Sequence, residues 1–114
     1  MNQILLGGVV ILIIILFHLY KKAYATKVIL FHSPKCPYCI KLMPEWNKFV
    51  SMCRFSTVVD AMEINVENND SEIKHLKDNY QVNTWPTIII IRGIKWDIYD
   101  GERKAQDIWN ASTP

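Results

Sequence analysis

The sequence lacks an excess of either charge. Its 114 residues hold 13 Lys and Arg against 11 Asp and Glu, for a formal net charge of +2. Lys21 and Lys22 lie in the first 25 residues, which hold no acid, so the remaining 11 basic and 11 acidic residues balance. A balanced domain lacks the basic face that phosphate backbones require, which argues against nucleic-acid binding.

Cysteine is scarce as well. The three cysteines, Cys36, Cys39 and Cys53, are too few for a small fold held together by disulfides. A bridge across the Cys36-Pro-Tyr-Cys39 spacing would constrain little chain, so a bond there indicates chemistry rather than scaffolding. A zinc site is a weaker alternative, because only Cys53, His32 and His75 remain to complete it, and a cluster shared between two chains is weaker still.

No charged residue occurs before Lys21. At about 1.5 Å per residue, twenty uncharged residues reach about 30 Å, the thickness of a bilayer's hydrocarbon core. The sequence therefore predicts an N-terminal transmembrane helix or signal anchor over residues 1–22. The lysines that follow it predict a domain on the cytoplasmic side. The alternative is a signal peptide cleaved near Ala25, which would release the domain into the ER lumen or outside the cell.

The remaining chain, residues 26–114, alternates strand-like and helix-like segments. The apolar run 27–32 predicts a strand buried on both faces, and Pro37 opens a predicted helix that extends to Arg54 and bends at Pro44. Further strands are predicted over 56–67, 87–92 and 94–99, and further helices over 71–80 and 102–110. The order βαβαββα predicts an α/β fold with a mixed four-stranded sheet.

Four features follow one another as they do in the thioredoxin superfamily. A strand leads into the two cysteines, Pro44 comes five residues after the second of them, Thr-Trp-Pro-Thr (84–87) precedes a strand, and Gly101 precedes the last helix. Residues 26–114 thus resemble a thioredoxin-like domain, trimmed of the first strand and helix of full thioredoxins. The Cys-Pro-Tyr-Cys motif is similar to glutaredoxins, whereas the segment 99–109 resembles disulfide-isomerase domains.

The resemblance and the chemistry of the motif predict roles for individual residues. A helix start and the neighbouring Lys35 favour the thiolate of Cys36, which would attack, while the more buried Cys39 would resolve the mixed disulfide. The resemblance implies that Pro86 is cis and that a backbone edge beside it binds an extended substrate. The complete prediction has catalytic Cys36 and Cys39, substrate-binding Pro86, Trp85, Thr84 and Tyr38, modulating Lys35 and Pro37, and no metal or cofactor.

One departure from the family concerns a carboxylate. Many thioredoxins carry a buried acid six residues before the first active-site cysteine, and this position is Leu30 here. Asp60 and Glu63 are candidates to replace it, although a solvated strand face is the preferred interpretation for both. Cys53 is predicted to be a buried structural thiol, and His32 a packing or surface residue.

The predicted function is a membrane-tethered thiol-disulfide oxidoreductase that exchanges disulfides with protein substrates, including a specific redox partner. The alternative is a non-catalytic binding module of the same fold, anchored to a membrane. Abundant Ile, Asn and Lys indicate an A+T-rich genome, and a small tethered domain is similar to redox proteins of large DNA viruses. That similarity would place the protein in a virion membrane.

Overall fold

Four helices and four strands occur in residues 2–23 and 25–113, the part of the chain that the computed structural model describes. The helices are α1 (Asn2–Ala23), α2 (Pro37–Arg54), α3 (Ser71–Asn79) and α4 (Ala105–Ser112), and the strands are β1 (Thr26–His32), β2 (Val59–Asn65), β3 (Thr87–Arg92) and β4 (Lys95–Ile98). From β1 onward, the order is the predicted βαβαββα.

The four strands form one mixed sheet in the order β2-β1-β3-β4. β1 runs parallel to β2 and antiparallel to β3, and β3 pairs with β4 through a hairpin whose turn contains Gly93 at φ 63°. Glycine adopts this left-handed conformation more readily than residues that carry a Cβ. The predicted α/β fold with a mixed four-stranded sheet is confirmed.

Alternation along β1 sends side chains to two faces of the sheet. Val28 and Leu30 pack against the buried face of α2 and α4, where Trp46, Phe49 and Ile108 are fully buried. Ile29 and Phe31 face the opposite side, which is covered more thinly because α3 contributes no fully buried residue. The face beneath α2 is therefore the more firmly packed support.

Two elements begin three residues later than predicted, and side-chain hydrogen bonds explain both cases. β2 starts at Val59 because the Ser56 hydroxyl accepts the N–H groups of Val58 and Val59 and closes a turn there. α4 starts at Ala105, whose N–H donates to the Glu45 carboxylate of α2 at 2.9 Å. That contact joins distant parts of the chain, so local sequence does not reveal it.

α1 corresponds to the predicted N-terminal helix, and its side chains from Leu5 to Tyr20 are exposed. Across the part of the chain that the structure describes, no helix combines the length and apolar character needed to cross a membrane. The prediction of a transmembrane helix over residues 1–22 is thus not supported as stated. Met1, and Tyr24 beside the alternative cleavage position, lie outside the described residues.

Candidate active site

Cys36 lies at the start of α2, just beyond the carboxyl end of β1. It is the N-cap residue, with extended backbone angles (φ −89°, ψ 117°), and its sulfur accepts the N–H of Cys39 at 3.2 Å. Pro37 follows as the first helical residue, where its missing N–H costs no helical hydrogen bond. The sulfur of Cys36 thus occupies the position that a capping oxygen takes in other helices.

This environment favours the ionised form of Cys36. Removal from water acts to raise the pKa of its thiol, but hydrogen bonds from the Cys39 thiol and from the N–H groups of Cys39 and Tyr38 oppose that effect. The charge of Arg103 also acts to lower it, and the net pKa lies below the ordinary value. Because the thiolate is the nucleophile in disulfide exchange, Cys36 is the more reactive sulfur.

Cys39 has the opposite environment, although it lies only one helical turn further on. Its side chain is 1 % exposed. Burial, and then the hydrogen bond and charge of Cys36, raise its pKa to about 11, against the weaker opposing effects of the Ser33 N–H and Arg103. Cys39 therefore retains its proton at neutral pH, and the two thiols are clearly unequal.

Arg103 is a site residue that the sequence analysis missed, since it assigned the neighbouring positive charge to Lys35. Lys35 has an exposed side chain, and its backbone N–H donates to the Ser33 hydroxyl at 3.2 Å. The loop between β4 and α4 carries Arg103, and the antiparallel order β1-β3-β4 returns that loop to the end of the sheet where Cys36 lies. The sequence predicted a mixed four-stranded sheet but not the antiparallel pairing of β1 with β3 on which this placement depends.

The loop that carries Arg103 is held by Tyr99. The Tyr99 hydroxyl donates to the carbonyl of Glu102 at 2.5 Å. Gly101 lies against the same ring, because a Cβ at this position would be 2.6 Å from the Tyr99 hydroxyl oxygen. A side chain at Gly101 would therefore displace either the ring or the loop next to the cysteines.

The predicted proline loop lies beside Cys36. The Trp85–Pro86 peptide is cis, and the Trp85 carbonyl oxygen is 3.5 Å from the Cys36 sulfur, which donates to it. The Thr84 carbonyl instead accepts the Thr87 hydroxyl at 2.7 Å. Of the two predicted backbone groups, that of Trp85 therefore faces the cysteine.

Two exposed aromatic side chains lie near this site. Tyr38 is 68 % exposed and Trp85 is 37 % exposed. Tyr38 also lines a groove between α2 and the loop before α4, together with charged residues on both walls. Arg103 lines this groove and a smaller adjoining cavity that reaches Pro86. The surface around Cys36 is thus apolar at the two rings and charged along the groove.

Neither candidate carboxylate is free to replace the missing acid. Leu30, at the position of the missing acid, is fully buried, and Glu63 is its neighbour on the adjacent strand β2. The Glu63 carboxylate accepts the indole N–H of Trp46 at 3.0 Å and lies 3.6 Å from His32 Nε2. His32 is half-buried and contacts this acid, in agreement with a packing role.

The charge of Asp60 acts on Cys53, the third cysteine, at the other end of α2. Cys53 is 7 % exposed within the core cluster, and burial followed by the charge of Asp60 raises its pKa to about 11. It is a packed thiol, as predicted, and lies apart from the Cys36–Cys39 pair.

Among residues 2–23 and 25–113, no three His, Cys, Asp or Glu side chains form a group that could hold a metal ion.

Comparison with known proteins identifies the family. The sequence profile of the Thioredoxin family matches residues 18–113. The chain is 34% identical over 83 residues to protein disulfide isomerase-like 1-2 of Oryza sativa subsp. japonica and 32% identical over 83 residues to protein disulfide-isomerase of Ricinus communis. In both cases 71% of this chain aligns with 16% of the relative, so the chain spans about one sixth of their length.

Solved structures show the same fold. The first thioredoxin domain of mouse protein disulfide-isomerase A4 superimposes with a TM-score of 0.67 at 23% identity, covering 84% of this chain and 66% of that one. The Trx4 domain of ERdj5 gives a TM-score of 0.63 at 16% identity, with 77% and 76% covered. The chain belongs to the thioredoxin family, and its Cys-Pro-Tyr-Cys pair lies where the fold presents a helix start.

Proposed function

We propose that this protein is a thiol-disulfide oxidoreductase that exchanges disulfides with protein substrates through Cys36 and Cys39. The observation that carries the proposal is the contrast between two thiols one helical turn apart: the Cys36 sulfur caps the helix and accepts the Cys39 N–H at 3.2 Å, whereas Cys39 is 1 % exposed. A packing role for both cysteines would not require this contrast. The isomerase-like relatives support the same class of reaction.

The reaction proceeds in two exchanges. The Cys36 thiolate attacks one sulfur of a substrate disulfide, which forms a mixed disulfide and releases the other substrate sulfur as a thiolate. Cys39 then loses its proton and attacks the Cys36 sulfur, which forms the Cys36–Cys39 disulfide and releases the second substrate thiolate. Two electrons pass from the protein to the substrate, and the same steps in reverse oxidise a substrate dithiol.

The raised pKa of Cys39 determines the order of the two exchange steps. A protonated Cys39 does not compete with Cys36 for the first attack. Once the mixed disulfide has formed, Cys36 is no longer an anion. Its charge and its hydrogen bond with Cys39 then no longer raise the pKa of Cys39. The second thiol is then easier to deprotonate, which favours resolution after capture.

The substrate is proposed to be an extended protein segment. The Trp85 carbonyl is directed at Cys36 and offers a backbone acceptor to such a segment. The exposed rings of Tyr38 and Trp85 provide apolar contact on either side. A specific redox partner would use the same surface.

The alkylation of Cys36 across a pH range tests the proposal. We expect the rate to have a midpoint below that of a free thiol measured under the same conditions, because hydrogen bonds and Arg103 stabilise the thiolate. The full chain with Cys53→Ser is the matched control, and its profile should be unchanged. A midpoint at or above that of a free thiol would favour a binding module without catalysis.

We also propose that α1 attaches the domain to a membrane, with the domain on the cytoplasmic side. Its exposed side chains from Leu5 to Tyr20 include an unbroken apolar run, so apolar surface extends around the helix. A helix that is apolar on every side requires an apolar environment. Lys21 and Lys22 follow the run and favour the cytoplasmic side. The similarity to redox proteins of large DNA viruses adds a virion membrane to the proposed locations.

Flotation with lipid vesicles tests this attachment. The full chain should float with phosphatidylcholine vesicles, and a variant with Ile13→Asp and Leu16→Asp should remain at the bottom of the gradient. Recovery from secretory cells of a protein that begins after Ala25 would instead support the cleaved signal peptide and lumenal location.

A further inference from the structure

Ser33 is a buried polar residue between β1 and the cysteine motif. It is 1 % exposed, and its hydroxyl donates to the Glu67 carboxylate at 2.7 Å. A buried hydroxyl requires a hydrogen-bond partner, and here that partner is the side chain of a residue in the loop after β2. The bond joins the two loops that leave the carboxyl ends of the parallel strands.

Ser33 contacts both cysteines through its backbone. Its carbonyl accepts the Cys36 N–H at 3.2 Å, and its N–H lies at the Cys39 sulfur, where it acts to lower the pKa of that thiol. Its hydroxyl also accepts the Lys35 N–H at 3.2 Å. A shift of Ser33 would therefore be transmitted to both sulfurs.

Glu67 is held in position although its side chain is exposed. Its N–H donates to the Asn65 side-chain oxygen at 3.0 Å. The preceding residue, Val66, donates its N–H to the His32 carbonyl at 2.9 Å and so extends the pairing beyond the ends of β1 and β2. The backbone that carries the Glu67 side chain is thus held in place by hydrogen bonds.

We infer that Glu67 is a positioning residue for the Cys36–Cys39 pair, which it holds through the Ser33 hydroxyl. This inference rests on the proposed function of the two cysteines. The carboxylate secures Ser33, Ser33 secures the turn before α2, and that turn sets the capping position of the Cys36 sulfur. Glu67 contacts neither sulfur in this arrangement and takes no part in the exchange itself.

The Glu67→Ala variant tests the inference. Without the carboxylate, the turn loosens and the N–H groups stabilise the Cys36 thiolate less well, so we expect the midpoint of its alkylation profile to rise. A less stable thiolate makes the dithiol form less favourable. The equilibrium constant with glutathione should therefore shift about tenfold toward the Cys36–Cys39 disulfide, which corresponds to a reduction potential about 30 mV lower.

Two further variants separate position from charge. Glu67→Gln retains an acceptor oxygen of the same reach, so it should restore most of the wild-type midpoint and equilibrium. If the negative charge itself acted on Cys36, both variants would lower the midpoint, which is the opposite sign. Glu72→Ala removes an exposed acid from α3 and is the matched control, with no expected change.

A double-mutant cycle shows whether Glu67 acts through Ser33. Ser33→Ala should shift the midpoint as Glu67→Ala does, and the double variant should add little to either change. The inference is overturned if Glu67→Ala changes only the resistance to urea and leaves the midpoint and the glutathione equilibrium unchanged. Failure of the proposed function would be visible separately, since wild-type Cys36 would then show the midpoint of a free thiol.

Discussion

The two ends of α2 hold chemically similar groups in contrasting environments. At its start, Cys36 caps the helix, accepts backbone N–H groups and has a lowered pKa. At its end, Cys53 is enclosed by apolar core side chains beside Asp60, and its pKa is raised to about 11. The comparison teaches that the surroundings of the sulfur set its reactivity in this chain, because the side chain is the same at both ends.

Helix polarity accounts for part of the contrast. Unpaired N–H groups at a helix start stabilise an anion, whereas the carbonyls at its end destabilise one. Cys39 separates this effect from burial, since it lies in the first turn and nevertheless has a pKa of about 11. Burial therefore outweighs the helix start once the sulfur is turned into the core.

Replacing the cysteine at either end should give the largest difference in activity. Cys36→Ser removes the attacking thiolate, and we expect the rate of disulfide exchange with a model substrate to fall to background. Cys53→Ser should retain the wild-type rate, because this thiol lies outside the candidate site. An exchange assay on the two full-length variants makes the comparison, and full activity in Cys36→Ser would break it.

Cys39→Ser should stop the reaction halfway. Cys36 would still capture a substrate, but no second thiol could displace it, so a mixed disulfide should accumulate. Non-reducing electrophoresis after an acid quench would show the adduct, and thiol treatment should release it. Rapid turnover without an adduct would mean that another group resolves the intermediate.

The pH dependence of stability should show the buried thiol at the end of the helix. The pKa of Cys53 is about 11 in the folded protein, and its ordinary value is 9.0. Between these pH values the folded protein keeps this proton, whereas the unfolded chain loses it. Stability therefore falls across this window, by at most about 3 kcal/mol from this group. Urea unfolding of Cys53→Ala from pH 8 upward should give a shallower decline, and an unchanged slope would contradict the assignment.

Removing the charge near the start of the helix should have the smallest effect. Arg103→Gln takes away a cation that lowers the pKa of Cys36, so its alkylation midpoint should rise. The rate near neutral pH should fall about two- to fivefold, as expected for an exposed charge pair. Lys35→Gln is the matched control, and a larger effect there would restore the original assignment of this charge.

Strong local patterns made several elements predictable. The apolar run of β1, the proline that opens α2, and the run of isoleucines in β3 placed these three elements to within a residue of the observed bounds. The cysteine pair and the cis proline could also be recognised from their motifs. Such features depend on neighbours in sequence, which a single chain displays directly.

Contacts between distant residues explain what was missed. The start of α4 depends on Glu45 from another helix, and the role of Arg103 depends on the strand order that returns its loop to Cys36. The Ser33–Glu67 hydrogen bond likewise joins two loops that are far apart in sequence. No local pattern marks these residues, because each contact joins segments that are distant in sequence.

The sequence by itself determined the order of the elements and the position of the two sulfurs at a helix start, because hydrophobic spacing and proline act over a few residues. Only the tertiary structure decided which cation faces the pair and which acid holds the preceding turn. Burial and charge act through space, so their effects on the two thiols emerge only when the sheet brings its loops together.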